Sequence, residues 1–268
     1  MTIPGRHFAH NLIQRRTLLF QLVRRDFETR FIGSAAGWLW GLIHPVVLLV
    51  SWVFVLQVCM HATLPPNEVT HNYSLFLFCG FLPWLLFQET VIRSASSLLD
   101  NTNLITKTVF PAEIVPVSIF LSSLISHLMA LALVIIVVGV YNGHFSLWML
   151  SLPIYMLLIG LFSIGIGWFV SSLQVYLRDT AQVISVILTF WFWMTPIFIN
   201  EQQVPAAFRF VIRANPLALV VRAYRDRLLS YRIPSLQELA IVTAYAVTVF
   251  VLGGLFFRHL KRGFADVL

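Results

Sequence analysis

The sequence predicts an all-α integral membrane protein, with a single transmembrane domain occupying all 268 residues. Hydrophobic residues make up 59% of the chain and charged residues 11%, whereas soluble domains contain about 45–50% and about 25%. The stretch Ile114–Leu177 contains no Asp, Glu, Lys or Arg, which leaves room for two spans of about 20 residues each. We therefore expect a bundle of membrane-spanning helices.

Uncharged stretches bounded by polar residues predict six spans, near 40–60, 73–92, 117–141, 149–173, 181–199 and 239–257. Lysine and arginine collect at both ends of the chain and in the second and fourth connections, whereas the first and third connections contain neither. Because positive residues are retained on the cytoplasmic side, both termini are expected in the cytoplasm.

An amphipathic helix is predicted before the first span, at about residues 18–31. Leucines such as Leu18 and Leu22 recur at helical spacing, opposite Arg24 and Arg25. A helix of this kind lies in the membrane plane at the cytoplasmic face. The alternative is a soluble amphipathic helix that packs on a partner protein.

Glycines at short spacing predict close helix packing in two places, because small residues let two helix backbones approach. One set lies at the start of span one, where the contact could be within the chain or between two copies, and the other lies in span four. The sets are Gly33, Gly37 and Gly41, and Gly160, Gly165 and Gly167.

The stretch Ser94–Pro116 is the longest polar interruption between two apolar segments. Asp100, Asn101 and Asn103 are candidate helix N-caps, and Pro111 is typical of the start of the next helix. This pattern predicts a short cytoplasmic helix, which a protein outside the membrane could use to act on the membrane domain. An ordinary connecting loop is the alternative.

Span five ends in the aromatic run Phe190, Trp191, Phe192 and Trp193. Aromatic residues concentrate at membrane interfaces, so an interfacial belt explains part of this run. A pore wall on which sugar rings stack is the other interpretation.

The external segment Glu201–Ser235 breaks the charge rule, because it contains six arginines. Prolines divide it into two helical pieces, about 206–214 and 217–230, each too short to cross a bilayer of about 30 Å. We expect both pieces to dip into the membrane and return, as a gate over a pore or as a simple anchor. The charged residues of the predicted gate are Arg209, Arg213, Arg222, Arg225 and Asp226.

Several kinds of chemistry are absent from the sequence. It has no G-x-x-x-x-G-K-[ST] phosphate loop and no His/Cys/Glu cluster with metal-ligand spacing. His127 is the ionisable residue inside the spans, and we expect it to be a hydrogen-bonded core residue rather than a proton relay. Cys59 and Cys79 fit two buried thiols or a disulfide. A transporter of this composition is passive or is driven by a partner subunit.

Six stretches, in chain order, carry a recognisable pattern. They are LVRRDFETRFIGSAAGWLWGLIHP, NTNLITKTVFPAEIVP, VYLRDTAQ, FWMTPIFI, NPLALVVRAYRDRLL and FFRHLKRGFADVL. Together they resemble the membrane subunits of type-2 ABC exporters, most closely the bacterial polysaccharide export permeases. The resemblance covers residues 22–268 and departs at residues 33–37, which lack a bulky residue before the second glycine, and at Gly263.

The resemblance implies a homodimer in the bacterial inner membrane with two separate ATPase subunits, which hold ATP and magnesium while this chain binds no cofactor. The substrate it implies is a polysaccharide on an undecaprenyl diphosphate carrier. Arg24, Arg25 and Arg30 are then candidate partners of the lipid diphosphate, since guanidinium groups pair with phosphate oxygens. The residues that resemble the coupling helix are Asn101, Asn103, Lys107, Phe110 and Pro111.

Two other functions remain open at this point. One is a type-2 ABC permease for a drug, a lipid or another small molecule. The other is a membrane-embedded transferase that acts on lipid-linked sugars, although no catalytic constellation converges in the sequence.

Overall fold

A computed structural model describes residues 15–30, 33–35, 37–65, 70–107, 110–143, 145–199, 201–230 and 235–267. Helices, turns and bends make up these ranges, and no strand occurs in them. The helices are α1 (Arg16–Thr29), α2 (Trp40–Val53), α3 (Tyr73–Asp100), α4 (Thr102–Lys107), α5 (Ile114–Asn142), α6 (Leu152–Tyr176), α7 (Thr180–Met194), α8 (Arg209–Ala214), α9 (Pro216–Arg225), α10 (Leu236–Leu260) and α11 (Phe264–Val267).

Five helical stretches in the described ranges are long and apolar enough to cross a membrane, which confirms five predicted spans. They are Gly37–Cys59, Tyr73–Asp100, Ile114–Asn142, Leu147–Tyr176 and Leu236–Gly263. All five extend beyond at least one predicted end, most clearly α3, which continues eight residues past residue 92.

The sixth predicted span, 181–199, corresponds to the shorter apolar helix α7, which has 15 residues. Its predicted C-terminal end is wrong by five residues, because Pro196 cannot donate a main-chain hydrogen bond and also disfavours helical backbone at the preceding residue. Thr195 is accordingly extended, with φ −96° and ψ 132°.

The helix α3 forms the centre of the bundle. It packs against α5, α6 and α9, and large side chains such as Trp84 and Phe87 are fully buried. In contrast, few apolar side chains of α2 and α10 are buried, and several, including Val47 and Leu252, are exposed. An exposed apolar surface of this size is what a bilayer or a further subunit covers.

Local sequence explains where the buried helices begin. The side chain of Asn72 accepts a hydrogen bond from the amide of Leu75 at the start of α3, at 3.2 Å. Asn215 does the same for Leu217 at the start of α9, where Pro216 occupies the first turn. Side-chain caps of this type satisfy amides that the helix cannot satisfy itself.

The glycine prediction is confirmed in span four. Gly165 lies against the backbone of Val249 and Phe250 in α10, and Gly160 lies against the ring of Phe120. Gly33 and Gly37 lie in the turn between α1 and α2, with φ angles of +77° and +52°. A Cβ at either would meet nothing within 4 Å in this chain, so the two glycines do not pack closely within one copy, and packing against a second copy stays a prediction. The positive φ angles by themselves favour glycine at both positions.

The amphipathic helix is confirmed as α1, although Phe31 lies outside the described residues. Its apolar side faces the bundle, where Leu22 is buried and Leu19 packs against the core. The helix runs along α5. The chain therefore places α1 beside the beginning of α5 and the end of α3, at one end of the bundle.

The crossing of α6 and α10 predicts a strong dependence on Gly253. A Cβ at Gly253 would lie 2.0 Å from the carbonyl oxygen of Gly165, whereas a Cβ at Gly254 would approach only the Trp168 ring, at 3.4 Å. Gly253→Ala should therefore lower the free energy of unfolding by about 1–3 kcal/mol, through overpacking. Gly254→Ala is the matched control. Thermal denaturation in detergent measures the stability of both variants. Equal melting temperatures would contradict the close approach of α6 and α10 at Gly253.

Candidate functional sites at the two ends of the bundle

Four charged side chains join α1 to α3 at the first end of the bundle. Asp26 lies on α1, Arg30 is the C-cap of α1, and Glu89 and Arg93 lie on α3. Arg93 donates to Asp26 at 2.5 Å, Arg30 pairs with Glu89, and Arg30 also lies 3.5 Å from Asp26. The charges alternate and sum to zero, so we call this group the ionic cluster.

The ionic cluster extends to α5 through one hydroxyl group. Ser123 accepts a hydrogen bond from Arg30 and donates one to Glu89, each at 3.1 Å. The side chain of Arg30 is 15% exposed, and its partners come from three helices. Arg30 therefore helps to hold these three helices together, with or without a bound ligand.

The three arginines predicted to meet a lipid diphosphate occupy different surroundings. Arg24 is exposed and donates to Glu28 at 2.7 Å, and this hydrogen bond raises the pKa of the Arg24 guanidinium. Arg25 is exposed and donates to the side chain of Asn101. Arg30 belongs to the ionic cluster. Their role toward phosphate stays a prediction, with Arg24 and Arg25 the more accessible of the three.

The predicted coupling helix is the six-residue α4, which follows directly after α3. Asn101 connects the two helices, because its amide group donates to the carbonyl of Ser97 at 2.9 Å while its oxygen accepts from Arg25. Asn103 is exposed. Phe110 packs against the core and Pro111 is buried. Lys107 ends α4, but its side chain lies outside what the structure describes.

Two polar cavities flank the ionic cluster. One, of about 580 Å³, lies between α1, α3, α4 and the start of α5, and its lining includes Arg25, Asp26, Asn101 and Asn103. The other, of about 260 Å³, reaches inward between α2, α3 and α5 as far as His127. The predicted coupling and lipid-binding residues therefore share one region of the molecule.

The opposite end of the bundle is built by the predicted re-entrant segment, which is confirmed as two helical pieces. The first is a turn at Ala206–Phe208 that continues into α8, and the second is α9 with a π-helical turn at Asp226–Ser230. The first piece is largely exposed, while most of α9 is buried against α3. The two pieces thus differ in how firmly they are held.

Carboxylates and carbonyl groups receive the outer arginines. Glu201 pairs with Arg213, at 3.0 Å, and with Arg222, which also donates to Glu238 at 2.9 Å. Arg209 donates to the carbonyl oxygens of residues 204 and 202. Their role as a gate stays a prediction.

The predicted charged face of the second piece is wrong in one respect, because Arg225 is buried. It is 6% exposed, and its guanidinium donates to the carbonyl oxygens of Phe76, Pro196 and Ile197. Asp226 is part-buried and accepts from Ser230 at 3.3 Å. Arg225 is the last residue of α9 before the π-helical turn, and its side chain reaches α3, whereas Arg222, one turn earlier, pairs with Glu201 and Glu238.

The four aromatic residues at the end of α7 divide into two pairs. Phe190 and Trp193 are exposed, whereas Phe192 packs against Trp52 and Trp84 with ring centroids 5.5 and 5.4 Å apart. Trp191 donates to Asn215 at 3.0 Å. Consecutive residues of a helix point in different directions, so only one pair can line any single surface. Whether that surface is a pore wall stays a prediction.

Three residues important to these sites were not singled out as site residues in the sequence. Asp26 and Glu89 complete the ionic cluster, and Asn215 joins α7 to α9, since its amide group also donates to Thr195 at 3.0 Å. The local signals that pointed to such a cluster are two spacings of four residues, Asp26 with Arg30 and Glu89 with Arg93.

The remaining single-residue predictions have clear outcomes. His127 is confirmed as a hydrogen-bonded core residue, with its Nε2 atom 3.1 Å from the hydroxyl of Tyr224. Cys79 is a buried free thiol, whereas Cys59 is exposed and free, so the two form no disulfide. Among the described residues, no group of His, Cys, Asp and Glu could hold a metal ion.

The ionic cluster predicts that two substitutions are better tolerated than one. Arg30→Met leaves the Glu89 carboxylate beside Asp26 with one fewer cation, which should lower the free energy of unfolding by about 1–3 kcal/mol. Arg30→Met with Glu89→Met removes the whole pair and keeps Arg93 with Asp26, so it should recover most of that loss. Thermal denaturation of both variants measures this. A double variant less stable than Arg30→Met would contradict the pairing.

Comparison with known proteins agrees with this architecture. Residues 17–229 match the ABC-2 type transporter family. An O-antigen export system permease protein of Myxococcus xanthus is 28% identical over 96% of this chain and 98% of its own length, and one of Klebsiella pneumoniae is 26% identical over 97% and 98%. A polysialic acid transport protein of Escherichia coli is 24% identical over 86% and 88%. This chain, a multi-pass membrane transport subunit, belongs to the ABC-2 type transporter family.

Proposed function

We propose that this chain forms the membrane pathway of an ATP-driven exporter, which carries a lipid-linked polysaccharide such as O-antigen out of the cytoplasm. The observation that supports this cargo is the similarity, over nearly the whole chain, to relatives named for O-antigen export. The carrier is an undecaprenyl diphosphate. The protein lies in the bacterial inner membrane with both termini in the cytoplasm.

ATP hydrolysis takes place on a separate subunit, which binds ATP and magnesium. The sequence has no phosphate loop of its own. The subunit acts on α4, whose Asn103 is exposed, and movement of α4 reaches α1 through the hydrogen bond between Arg25 and Asn101. The ionic cluster then links α1 to α3 and α5.

Two copies of the chain form the pathway, with two ATPase subunits. The exposed apolar surface of α2 and the exposed pair Phe190 and Trp193 on α7 suit a contact with a second copy or a wall of the pathway. Arg24, Arg25 and Arg30 lie where the lipid diphosphate would approach from the cytoplasmic side. The segment from Glu201 to Ser230 closes the outer side.

The α4 interaction predicts a variant that folds but does not transport. Asn103→Arg changes an exposed side chain of α4, so it should leave the amount of folded protein unchanged and reduce both the co-purified ATPase and surface polysaccharide about tenfold. His71→Arg, which is exposed before α3 at the opposite end, is the control. Affinity purification and surface labelling of polysaccharide in cells lacking their own permease provide the measurements.

The outcomes separate the proposed cargo from the alternatives. Loss of the ATPase together with loss of surface polysaccharide supports the proposal. An ATPase that stays bound, with export intact, shows that α4 is only a connection. The complex could also assemble normally but export no polysaccharide, and hydrolyse ATP when a drug or lipid is added. That result would show that the cargo is the drug or lipid and not a polysaccharide.

The orientation predicts opposite accessibility of two single cysteines. In a chain with Cys59→Ser and Cys79→Ala, Ala207→Cys lies in the outer segment and Asp179→Cys lies between α6 and α7; both positions are exposed. An impermeant thiol reagent added to intact cells, with the outer membrane made permeable, should label the first and not the second. The reverse pattern would invert the orientation.

A further inference from the structure

The guanidinium group of Arg225 joins three separate parts of the chain at the re-entrant end. Its Nε atom donates to the carbonyl oxygen of Phe76 in α3, at 3.1 Å. Its two terminal nitrogens donate to the carbonyls of Pro196 and Ile197, at 2.7 and 2.6 Å, in the turn that follows α7. One side chain on α9 thereby holds both α3 and the end of α7.

The surroundings of Arg225 are shaped to receive it. Its guanidinium carbon lies 3.4 Å from the centroid of the Phe76 ring, in a cation–π contact. Gly80, one turn further along α3, provides the space, because a Cβ there would lie 2.4 Å from the Nη2 atom of Arg225. The planar fork of the guanidinium donates to three carbonyl groups from three different nitrogens, whereas a lysine ammonium presents its three donors from a single atom.

The contacts of Arg225 fix the part of the outer segment that closes on the bundle. The carbonyl groups of Pro196 and Ile197 follow a helix that proline has ended, so they need donors from elsewhere. Without Arg225, these carbonyls and that of Phe76 would each lose a donor. The turn after α7 would then lose its hydrogen bonds to Arg225 and keep those that Asn215 makes with Trp191 and Thr195 at the end of α7.

We propose that Arg225 is the positioning residue that locks α9 to the outer ends of α3 and α7 and so keeps the outer side of the pathway closed at rest. This inference rests on the proposed function, in which the outer segment closes the pathway. It assigns that closure to one buried side chain, and not to the exposed arginines of the segment. The exposed piece around α8 is then the part that can move.

The test is the leak of a trapped dye from liposomes that contain the full chain together with its ATPase, in the absence of nucleotide. Arg225→Met removes the three hydrogen bonds, and Gly80→Ala pushes the guanidinium off its carbonyls while keeping its charge. Each should release carboxyfluorescein about tenfold faster than the unaltered protein, because several hydrogen bonds to a charged group are lost. Arg225→Lys should give an intermediate rate.

Two further variants make the test specific. Arg258→Met removes an exposed arginine from the last turn of α10 and should not increase the leak. Combining Gly80→Ala with Arg225→Met should leak no faster than Arg225→Met alone, since both changes act on the same contact. Additive increases in the leak rate would show that Gly80 acts at another contact. They would contradict the inference that Gly80 and Arg225 act at the same contact.

The results separate this inference from the proposed function. In one outcome the unaltered protein exports polysaccharide, and both it and the two Arg225 variants retain the dye. Arg225 then does not keep the pathway closed. If the unaltered protein leaks, the outer segment is not a closure, and the inference fails together with that part of the proposed function. If the Arg225 and Gly80 variants do not accumulate as folded protein, Arg225 serves folding alone and the inference is wrong.

Discussion

Arginine can lie inside an apolar helix bundle only where oxygen atoms receive its donors, and both ends of this molecule depend on that constraint. Burying a charged group without partners costs far more than a fold of marginal stability can sustain. At one end the oxygens are carboxylates, in the ionic cluster of Asp26, Arg30, Glu89 and Arg93. At the other end they are main-chain carbonyls around Arg225.

The two solutions have different mechanical consequences. Ion pairs between side chains can exchange partners within a group of alternating charges, because each carboxylate of the cluster lies near both arginines. Main-chain carbonyls are fixed to their helices, so Arg225 can keep its contacts only if α3, α9 and the turn after α7 stay together. The end with the ionic cluster is thus suited to rearrangement, and the re-entrant end is suited to being held.

Much of the fold could be predicted from the sequence, because membrane spans depend on local composition. Uncharged length located the spans, and prolines located the breaks at residues 205 and 215–216. What could not be predicted depends on partners distant in the chain. Nothing near Arg225 in sequence shows that it reaches Phe76, and nothing near Glu89 shows that it meets Arg30. Glycines of span four pack against neighbouring helices, whereas Gly33 and Gly37 meet nothing within 4 Å in this chain and take positive φ angles in the turn they occupy.

One turn of α5 connects the two ends. Ser123 contacts Arg30 and Glu89 in the ionic cluster, and His127, four residues later, contacts the hydroxyl of Tyr224 on α9. Residues four apart lie on the same face of a helix, separated by about 6 Å. A shift of α1 that carries Ser123 must therefore move His127 as well, and Tyr224 either follows or loses its hydrogen bond. Because Tyr224 precedes Arg225 directly, the hydrogen bond with His127 and the contacts of Arg225 meet α9 at adjacent residues.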